Sequence, residues 1–293
     1  MKLAALPEDE IIASLLKAVP FLRKAPAPVG DDCAAVPYKK HLLAIYKTDC
    51  VIEDIHFLAG HAPEKIGWKA LCRVLSDFAA MAARPRYALI TIAAPSDCEL
   101  EVLQGIYRGI GRAARKYDVT IAGGETSRSP SKIFISVAGI GTVRKKRLLT
   151  RSGGKAGDVL FVTGRLGGSF QGRHLTFAPR LEEAHWLAKN FTIHSMMDLS
   201  DGLAADLPRL ANASKLGFSV DLKRIPKMPG CSLQKALCDG EDYELLFSMA
   251  PREADALEEA WPAAFPKLKL HRIGTLLKDK KSRTELGSGF QHF

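Results

Sequence analysis

Val143-Arg144-Lys145-Lys146-Arg147-Leu148-Leu149-Thr150-Arg151-Ser152-Gly153-Gly154-Lys155-Ala156-Gly157-Asp158 interrupts an otherwise regular alternation of apolar segments. Its basic run and its glycines read as a connector that divides the chain into halves of similar length. On the N-terminal side, strand-like runs occupy Leu42–Tyr46, Tyr87–Ala93, Val119–Ala122 and Ile133–Val143. A helical pattern from about Pro63 to Met81 places Ile66, Ala70, Val74 and Phe78 on one side. A second opens after the capping box Ser96-x-x-Glu99 and aligns Leu100, Leu103, Ile106, Tyr107, Ile110 and Ala114. On the C-terminal side, Val159–Thr163 and Tyr243–Met249 are strand-like. Strands alternating with helices predict an α/β fold in two domains, 1–143 and 144–293. For the basic run itself, a solvated linker and a binding surface are equally good readings.

The 293 residues carry 42 Lys+Arg against 32 Asp+Glu, a net charge of +10. Hydrophobic residues make up 47%, enough apolar surface to offset the entropy of ordering, which excludes disorder as the main state. No run approaches the ~20 apolar residues of a membrane span. Met1–Leu6 is followed at once by Glu8-Asp9-Glu10, which does not suit a secretory signal, so a cytoplasmic protein is expected. The basic excess points to nucleic acid, a membrane surface or phosphorylated small molecules. Cys33, Cys50, Cys72, Cys98, Cys231 and Cys238 form no C-x-x-C pair and read as reduced thiols. The histidines make no zinc-type pattern, and both a nucleophile elbow and a Walker A loop are missing. Gly109-Ile110-Gly111 lacks the third glycine of a dinucleotide fingerprint.

The acids are more informative than their number. They fall in compact groups beside glycines or at strand ends: Gly30-Asp31-Asp32, Thr48-Asp49, Ser76-Asp77, Gly123-Gly124-Glu125, Asp198-Leu199-Ser200-Asp201-Gly202 and Gly240-Glu241-Asp242. Taken singly, most fit turn or cap chemistry, and Asp198 and Asp201 also fit the start of a helix through Leu203, Leu207 and Leu210. Asp77 resists that reading, because it lies within a helix next to Phe78-Ala79-Ala80-Met81, where an unpaired carboxylate is costly. Were several of these acids to converge, each pair at 4 Å would repel by roughly 4 kcal/mol at an effective dielectric of 20. A hard cation held by oxygen alone, Mg²⁺ in particular, offsets such repulsion and bridges to phosphates. The residues therefore point to a Mg²⁺-dependent phosphoryl-handling enzyme outside the P-loop class.

In this order, the groups resemble the thiamine-monophosphate kinase family, related to aminoimidazole ribonucleotide synthetase and selenophosphate synthetase. The likeness covers nearly the whole chain, through Pro28-Val29-Gly30-Asp31-Asp32-Cys33-Ala34-Ala35, Lys47-Thr48-Asp49, Asp54-Ile55-His56-Phe57 and Leu75-Ser76-Asp77-Phe78-Ala79-Ala80-Met81. It continues through Gly123-Gly124-Glu125-Thr126, Thr150-Arg151-Ser152-Gly153, Asp198–Leu203 and Gly240-Glu241-Asp242-Tyr243-Glu244-Leu245, the last looking specific to the kinase branch. The resemblance implies an N-terminal mixed sheet with helices on one face, forming a homodimer interface, and a second α/β domain packed against it. It implies transfer of the γ-phosphoryl of ATP, the co-substrate, to thiamine monophosphate. Several Mg²⁺ ions would be held by Asp32, Thr48, Asp49, Asp77, Glu125, Asp198 and Asp201. Gly124, Arg151 and Ser200 match ATP-contacting positions, and His56, Glu241 and Phe290 match positions around thiamine monophosphate. The acceptor phosphate is already ionised at neutral pH, so no general base is required. Phe290 also fits a C-terminal core anchor, and His56 a structural histidine. On this resemblance, phosphorylated small molecules explain the basic excess better than nucleic acid or a membrane.

Three positions depart from the family pattern: Lys47 for a common Ser, Glu125 for the usual Asp, and Gly168 for a frequent Asp. Glu125 still suits a metal. Lys47 is more consequential, since an ammonium beside Asp49 repels a nearby cation and is itself able to replace one ion. The departures leave two alternatives: a homologue that binds nucleotide or thiamine phosphate without turnover, and a relative acting on another small phosphorylated substrate.

Overall fold

The computed structural model describes residues 8–19, 25–27, 30–287 and 289. Helix α1 (Glu8–Lys17) is followed by β1 (Ala34–Lys39), β2 (Leu42–Ile52), α2 (Pro63–Ala80), β3 (Arg84–Ala94), α3 (Leu100–Lys116), β4 (Thr120–Arg128) and β5 (Phe134–Arg144). After the connector come β6 (Val159–Thr163), α4 (Leu181–Asn190), β7 (Ile193–Asp198), α5 (Leu203–Ala213), β8 (Gly217–Val220), α6 (Leu233–Cys238), β9 (Leu245–Met249), α7 (Pro251–Ala264) and β10 (Leu270–Leu277).

The first sheet runs β1-β2-β5-β3-β4 and is mixed. Its β3–β4 pair is parallel, joined by α3 as a crossover, and its other pairs are antiparallel. Along β5 buried and half-buried residues alternate, so one face packs and the other does not. The packed face carries α2, which buries Ile66, Ala70, Val74 and Phe78 as its periodicity predicts. Helices α2 and α3 cross on glycines. A Cβ at Gly67 would stand 1.9 Å from the Ile106 carbonyl oxygen, and one at Gly109 would stand 2.0 Å from that of Glu64.

This close crossing sets which side of α3 is buried. The hidden residues are Gly105, Ile106, Gly109, Ile110, Ala113 and Ala114, whereas Leu100 and Tyr107 are exposed. The capping box is not made either. Residues 95–98 close a turn, Cys98 N–H donating to the Pro95 carbonyl, and Glu99 becomes the N-cap without a side-chain bond.

The second sheet, β7-β9-β6-β10-β8, is antiparallel throughout. Every residue of β6 is buried because both faces are covered. Val159 and Phe161 join Phe247, Leu257 and Trp261 in a core continuous with that of the first sheet, while Leu160 and Val162 pack with Leu207 and Leu210. The basic run ends β5 and then makes a single 3₁₀ turn over Lys145–Arg147. The uncovered face of the first sheet exposes Tyr46, Tyr87 and Leu89.

Candidate active site

Lys69, Arg73 and Asp77 recur every four residues along α2, so they share one side of the helix. Asp77 meets Asp32, from the turn before β1, and Asp198, at the end of β7. One oxygen from each of the three lies within 4.8 Å of the others, and all three residues are buried. The Ser76 hydroxyl donates to Asp198 Oδ2 at 2.5 Å.

Asp77 and Asp32 of this group, and Asp49 beside them, each have a basic partner. Lys47 Nζ is 2.9 Å from Asp77 Oδ1, Arg151 Nη2 is 2.6 Å from Asp32 Oδ1, and Arg73 Nε is 3.0 Å from Asp49 Oδ2. Arg209 pairs with Asp201 and lies 3.0 Å from Asp206 Oδ1. Burial, reinforced by the Asp32 charge, pushes both Asp31 and Asp198 up to about 6. Burial also drives Asp77 well above the usual carboxylate range, with Asp198, Asp49 and Asp32 adding to the rise and Lys47 opposing it. Among the described residues, Asp31 Oδ2 and Asp32 Oδ2 are buried without a hydrogen-bond partner. Unpartnered buried carboxylate oxygens, next to a purely oxygen donor set, fit a hard divalent cation. The pocket over them, of about 330 Å³, is lined among others by Asp49, Asp77, Arg151, Asp198, Ser200 and Asp201.

A narrow recess adjoins it, sharing Arg73, Ser200, Asp201 and Tyr243 and adding Ile55, His56, Phe170 and Glu241. Its wall is built by alternation along Gly240–Leu245. Asp242 is anchored inward, accepting from Gly167 N–H at 3.0 Å and Ser169 Oγ at 2.8 Å and pairing with Arg173. Glu244 is anchored likewise by Arg180 at 2.5 Å and Thr163 Oγ1 at 2.7 Å. Glu241 and Tyr243, between these anchors, take left-handed φ values of 53° and 52° and line the recess. Tyr243 stacks on Phe177, centroids 3.8 Å apart.

Glu241 Oε2 accepts from Lys69 Nζ at 2.5 Å and lies 3.0 Å from His174 Nδ1. Lys69, wholly buried, also donates to the His56 carbonyl at 2.6 Å. Burial acts to raise the Glu241 carboxyl, but the bond to His174 and the charges of Lys69 and Arg73 outweigh it and hold it at about 2. Burial lowers Lys69 to about 8 against the pull of Glu241, so the pair is ionised at neutral pH. The His56 ring accepts from Ile52 N–H through Nδ1, which puts its proton on Nε2.

The expected site residues therefore fall into groups. Asp32, Asp49, Asp77, Arg151, Asp198, Ser200 and Asp201 come together, and His56 and Glu241 meet in the adjoining recess. Thr48 and Glu125 lie instead on the uncovered face of the first sheet. Thr48 is exposed with its hydroxyl 3.4 Å from Ser136 Oγ, and Ser136 and Glu125 both register with Thr91. At Gly124 the absent side chain has a packing cause, because a Cβ would stand 1.8 Å from the Ile90 carbonyl oxygen. Phe290 lies outside the described residues. Gly168 adopts a φ of 69° that favours glycine, and its N–H donates to Asp239 Oδ2 at 3.0 Å. Sequence reasoning missed Lys69, Arg73, His174 and Arg209. For the first two the signal was present: a cation among apolar helix neighbours needs a partner as much as Asp77 does.

Two family models match the chain: AIR synthase related protein, N-terminal domain, over residues 30–143, and AIR synthase related protein, C-terminal domain, over 148–287. The thiamine-monophosphate kinase of Rhodopirellula baltica is 36% identical to it, over 86% of this chain and 84% of that one. The thiamine-monophosphate kinase of Aquifex aeolicus is 33% identical, over 90% and 92% respectively. The solved structure of AaThiL complexed with AMPPCP and TMP superposes with a TM-score of 0.85 at 30% identity, covering 100% of this chain and 99% of that one.

Proposed function

The chain belongs to the AIR synthase related family, in its thiamine-monophosphate kinase branch, and from that premise we propose that it transfers the γ-phosphoryl of ATP to thiamine monophosphate, giving thiamine diphosphate and ADP. It is an enzyme, a kinase. The observation that carries the reading is the continuity of the acid-lined pocket with the Glu241 recess through Arg73, Ser200, Asp201 and Tyr243. One ligand is thereby able to place a phosphate among the acids and a ring against Glu241. Glu241, held ionised, suits the exocyclic amino group and the cationic thiazolium of thiamine. The recess measures about 20 Å³, so seating the pyrimidine requires Phe170, half exposed and lining it, to swing aside.

Asp32, Asp77 and Asp198, with Asp49 and Asp201 beside them, would hold Mg²⁺. Bound there, the metal supplies charge neutralisation between two phosphates that otherwise repel. The chain's own cations share that work. Arg73, Arg151 and Arg209 line the same pocket, each on a carboxylate, and each is placed to exchange that partner for a phosphate oxygen. The acceptor oxygen carries no proton at neutral pH, so the site needs positioning and charge rather than a base. A second copy of the chain on the uncovered face of the first sheet would enclose Thr48 and Glu125 and cover Tyr46, Tyr87 and Leu89. We place the homodimer there. Among the described residues no helix is long and apolar enough to cross a membrane, and we assign the protein to the cytoplasm.

With ATP, Mg²⁺ and thiamine monophosphate, ADP and thiamine diphosphate are expected to rise together, and unphosphorylated thiamine is expected to elicit neither. ADP without thiamine diphosphate, or binding of both ligands without turnover, would remove the assignment. Lys47 offers a separate prediction. Its ammonium sits on Asp77 where a divalent ion would otherwise share that oxygen, so it replaces one ion. Titration with Mn²⁺, followed by electron paramagnetic resonance, is expected to count one more bound ion in Lys47→Ser than in the native chain. Equal counts would refute the replacement.

A further inference from the structure

We propose that the notch where the basic run leaves β5 is a second ligand site, taking a small molecule that carries a polyphosphate group. It lies apart from the acid-lined pocket and does not rest on the kinase assignment. Arg84 and Arg86 reach it from the start of β3, Arg144 from the end of β5, Arg147 from the 3₁₀ turn and His185 from α4. The cavity they line has a volume of about 420 Å³, the size of a small phosphorylated molecule rather than of a surface depression.

Its register explains the clustering. Arg84 pairs with Thr142, two residues before Arg144 and so on the same face of the sheet. The pairing slips between Pro85 and Tyr87, which leaves Arg86 at a bulge, the device by which strands re-aim a side chain. Arg144 and Arg147 then follow within one turn of chain.

What distinguishes this cluster from a solvated basic face is its lack of counter-charge. Among the described residues, Arg84, Arg144 and Arg147 have no carboxylate partner, while Arg86 has Asp118 at 3.7 Å, itself almost fully exposed. In the acid-lined pocket, by contrast, every arginine is matched to a carboxylate. Burial, together with the Arg84 and Arg147 charges, lowers the pKa of His185, whose Nε2 lies 3.0 Å from the Ala83 carbonyl. It therefore adds polarity to the notch without a further charge at neutral pH.

Like charges gathered in a concave wall repel one another and relax only when an anion arrives. Guanidinium groups grip phosphate oxygens in pairs, so several of them select a chain of phosphates over a single carboxylate. Among the described residues no Phe, Tyr or Trp lines the notch, which withholds the row of stacking platforms that single-stranded nucleic acid uses and favours a small molecule. Among the described residues no acid lines it either, so binding there needs no divalent metal. The site also spans the two sheets' domains, since His185 belongs to the C-terminal half and Arg84 to the N-terminal half.

The test is calorimetric titration of the full-length protein with inorganic tripolyphosphate in EDTA, where metal-bridged binding at the acids is absent. One tripolyphosphate per chain is expected. Arg84→Gln with Arg147→Gln should weaken it by at least about tenfold while leaving kinase activity unchanged and the melting temperature no lower than that of the native chain. Arg151→Gln, in the acid-lined pocket, should leave it within about twofold. Absence of metal-independent binding would overturn the proposal. So would binding that survives the double substitution but is lost in Arg151→Gln. Displacement of tripolyphosphate by a lower concentration of a single-stranded oligonucleotide would overturn the small-molecule assignment in favour of a nucleic-acid surface.

Discussion

Asp198→Asn is expected to lower kcat by at least about 10²-fold and, in the same protein without metal, to raise the melting temperature at pH 8. Both effects follow from the crowding of Asp32, Asp77 and Asp198. Asparagine keeps the shape and an oxygen to accept from Ser76, but it withdraws one charge from the site that gathers the phosphates. The sign of the stability change comes from the pKa. Burial and the Asp32 charge raise Asp198 from 3.8 to about 6, so the folded state holds this proton more tightly than the unfolded chain does. That contribution to stability is present below pH 4 and lost as pH rises through 6. At pH 8 the ionised group therefore costs the metal-free protein about 3 kcal/mol, and its removal raises the melting temperature by several degrees. At pH 4 the native and substituted proteins should melt together. A native chain that melts at the same temperature as Asp198→Asn at both pH values would show that the three acids do not repel as their positions require.

Lys69→Met has the opposite signature. It removes a buried cation that three groups share: Glu241, His174 and the His56 carbonyl. Glu241 would remain near His174, with Arg73 no closer than 3.9 Å. Breaking a buried pair from one side costs about 3–5 kcal/mol, so a large fall in melting temperature is expected. Because Lys69 holds the carboxylate at the recess, the KM for thiamine monophosphate should rise at least about tenfold while that for ATP stays within about twofold. Melting temperature is read by calorimetry and the two KM values by initial rates. Unchanged stability, or equal loss for both substrates, would remove Lys69 as the residue that positions Glu241.

The parts of this molecule that sequence reveals are those in which one residue type has one physical job. Helix α2 was legible because Ile66, Ala70, Val74 and Phe78 repeat on the side that packs, and Asp77 stood out against them. Strand β6 was legible as an apolar run. Strand β7 was not, because His194 and Ser195 break its pattern, and their polarity is absorbed only in three dimensions. Ser195 is hydrogen-bonded to Ser248 on β9, and His194 to Asp158. Helix α3 was found, and Ile106, Ile110 and Ala114 are buried as its periodicity predicts, but Leu100 and Tyr107 are exposed, since the buried side is centred on glycines that bring it against α2 and carry no apolar signal. At the site, the acids could be read one by one because they sit beside glycines and strand ends. Their pairing could not, because Lys47, Arg73, Arg151 and Arg209 reach Asp77, Asp49, Asp32 and Asp201 largely from elsewhere in the chain. The basic excess thus divides between cations that neutralise the acid-lined pocket and arginines gathered at a separate notch, where, among the described residues, only Arg86 has a carboxylate partner.

The proposed reaction turns on the destination of one phosphoryl group. Incubation with thiamine monophosphate, Mg²⁺ and ATP labelled at the γ-phosphorus, followed by separation of the thiamine phosphates, measures it directly. The label is expected in the terminal phosphate of thiamine diphosphate, in one-to-one proportion with ADP formed. Label recovered only as inorganic phosphate, or left in ATP while both ligands are bound, would contradict it.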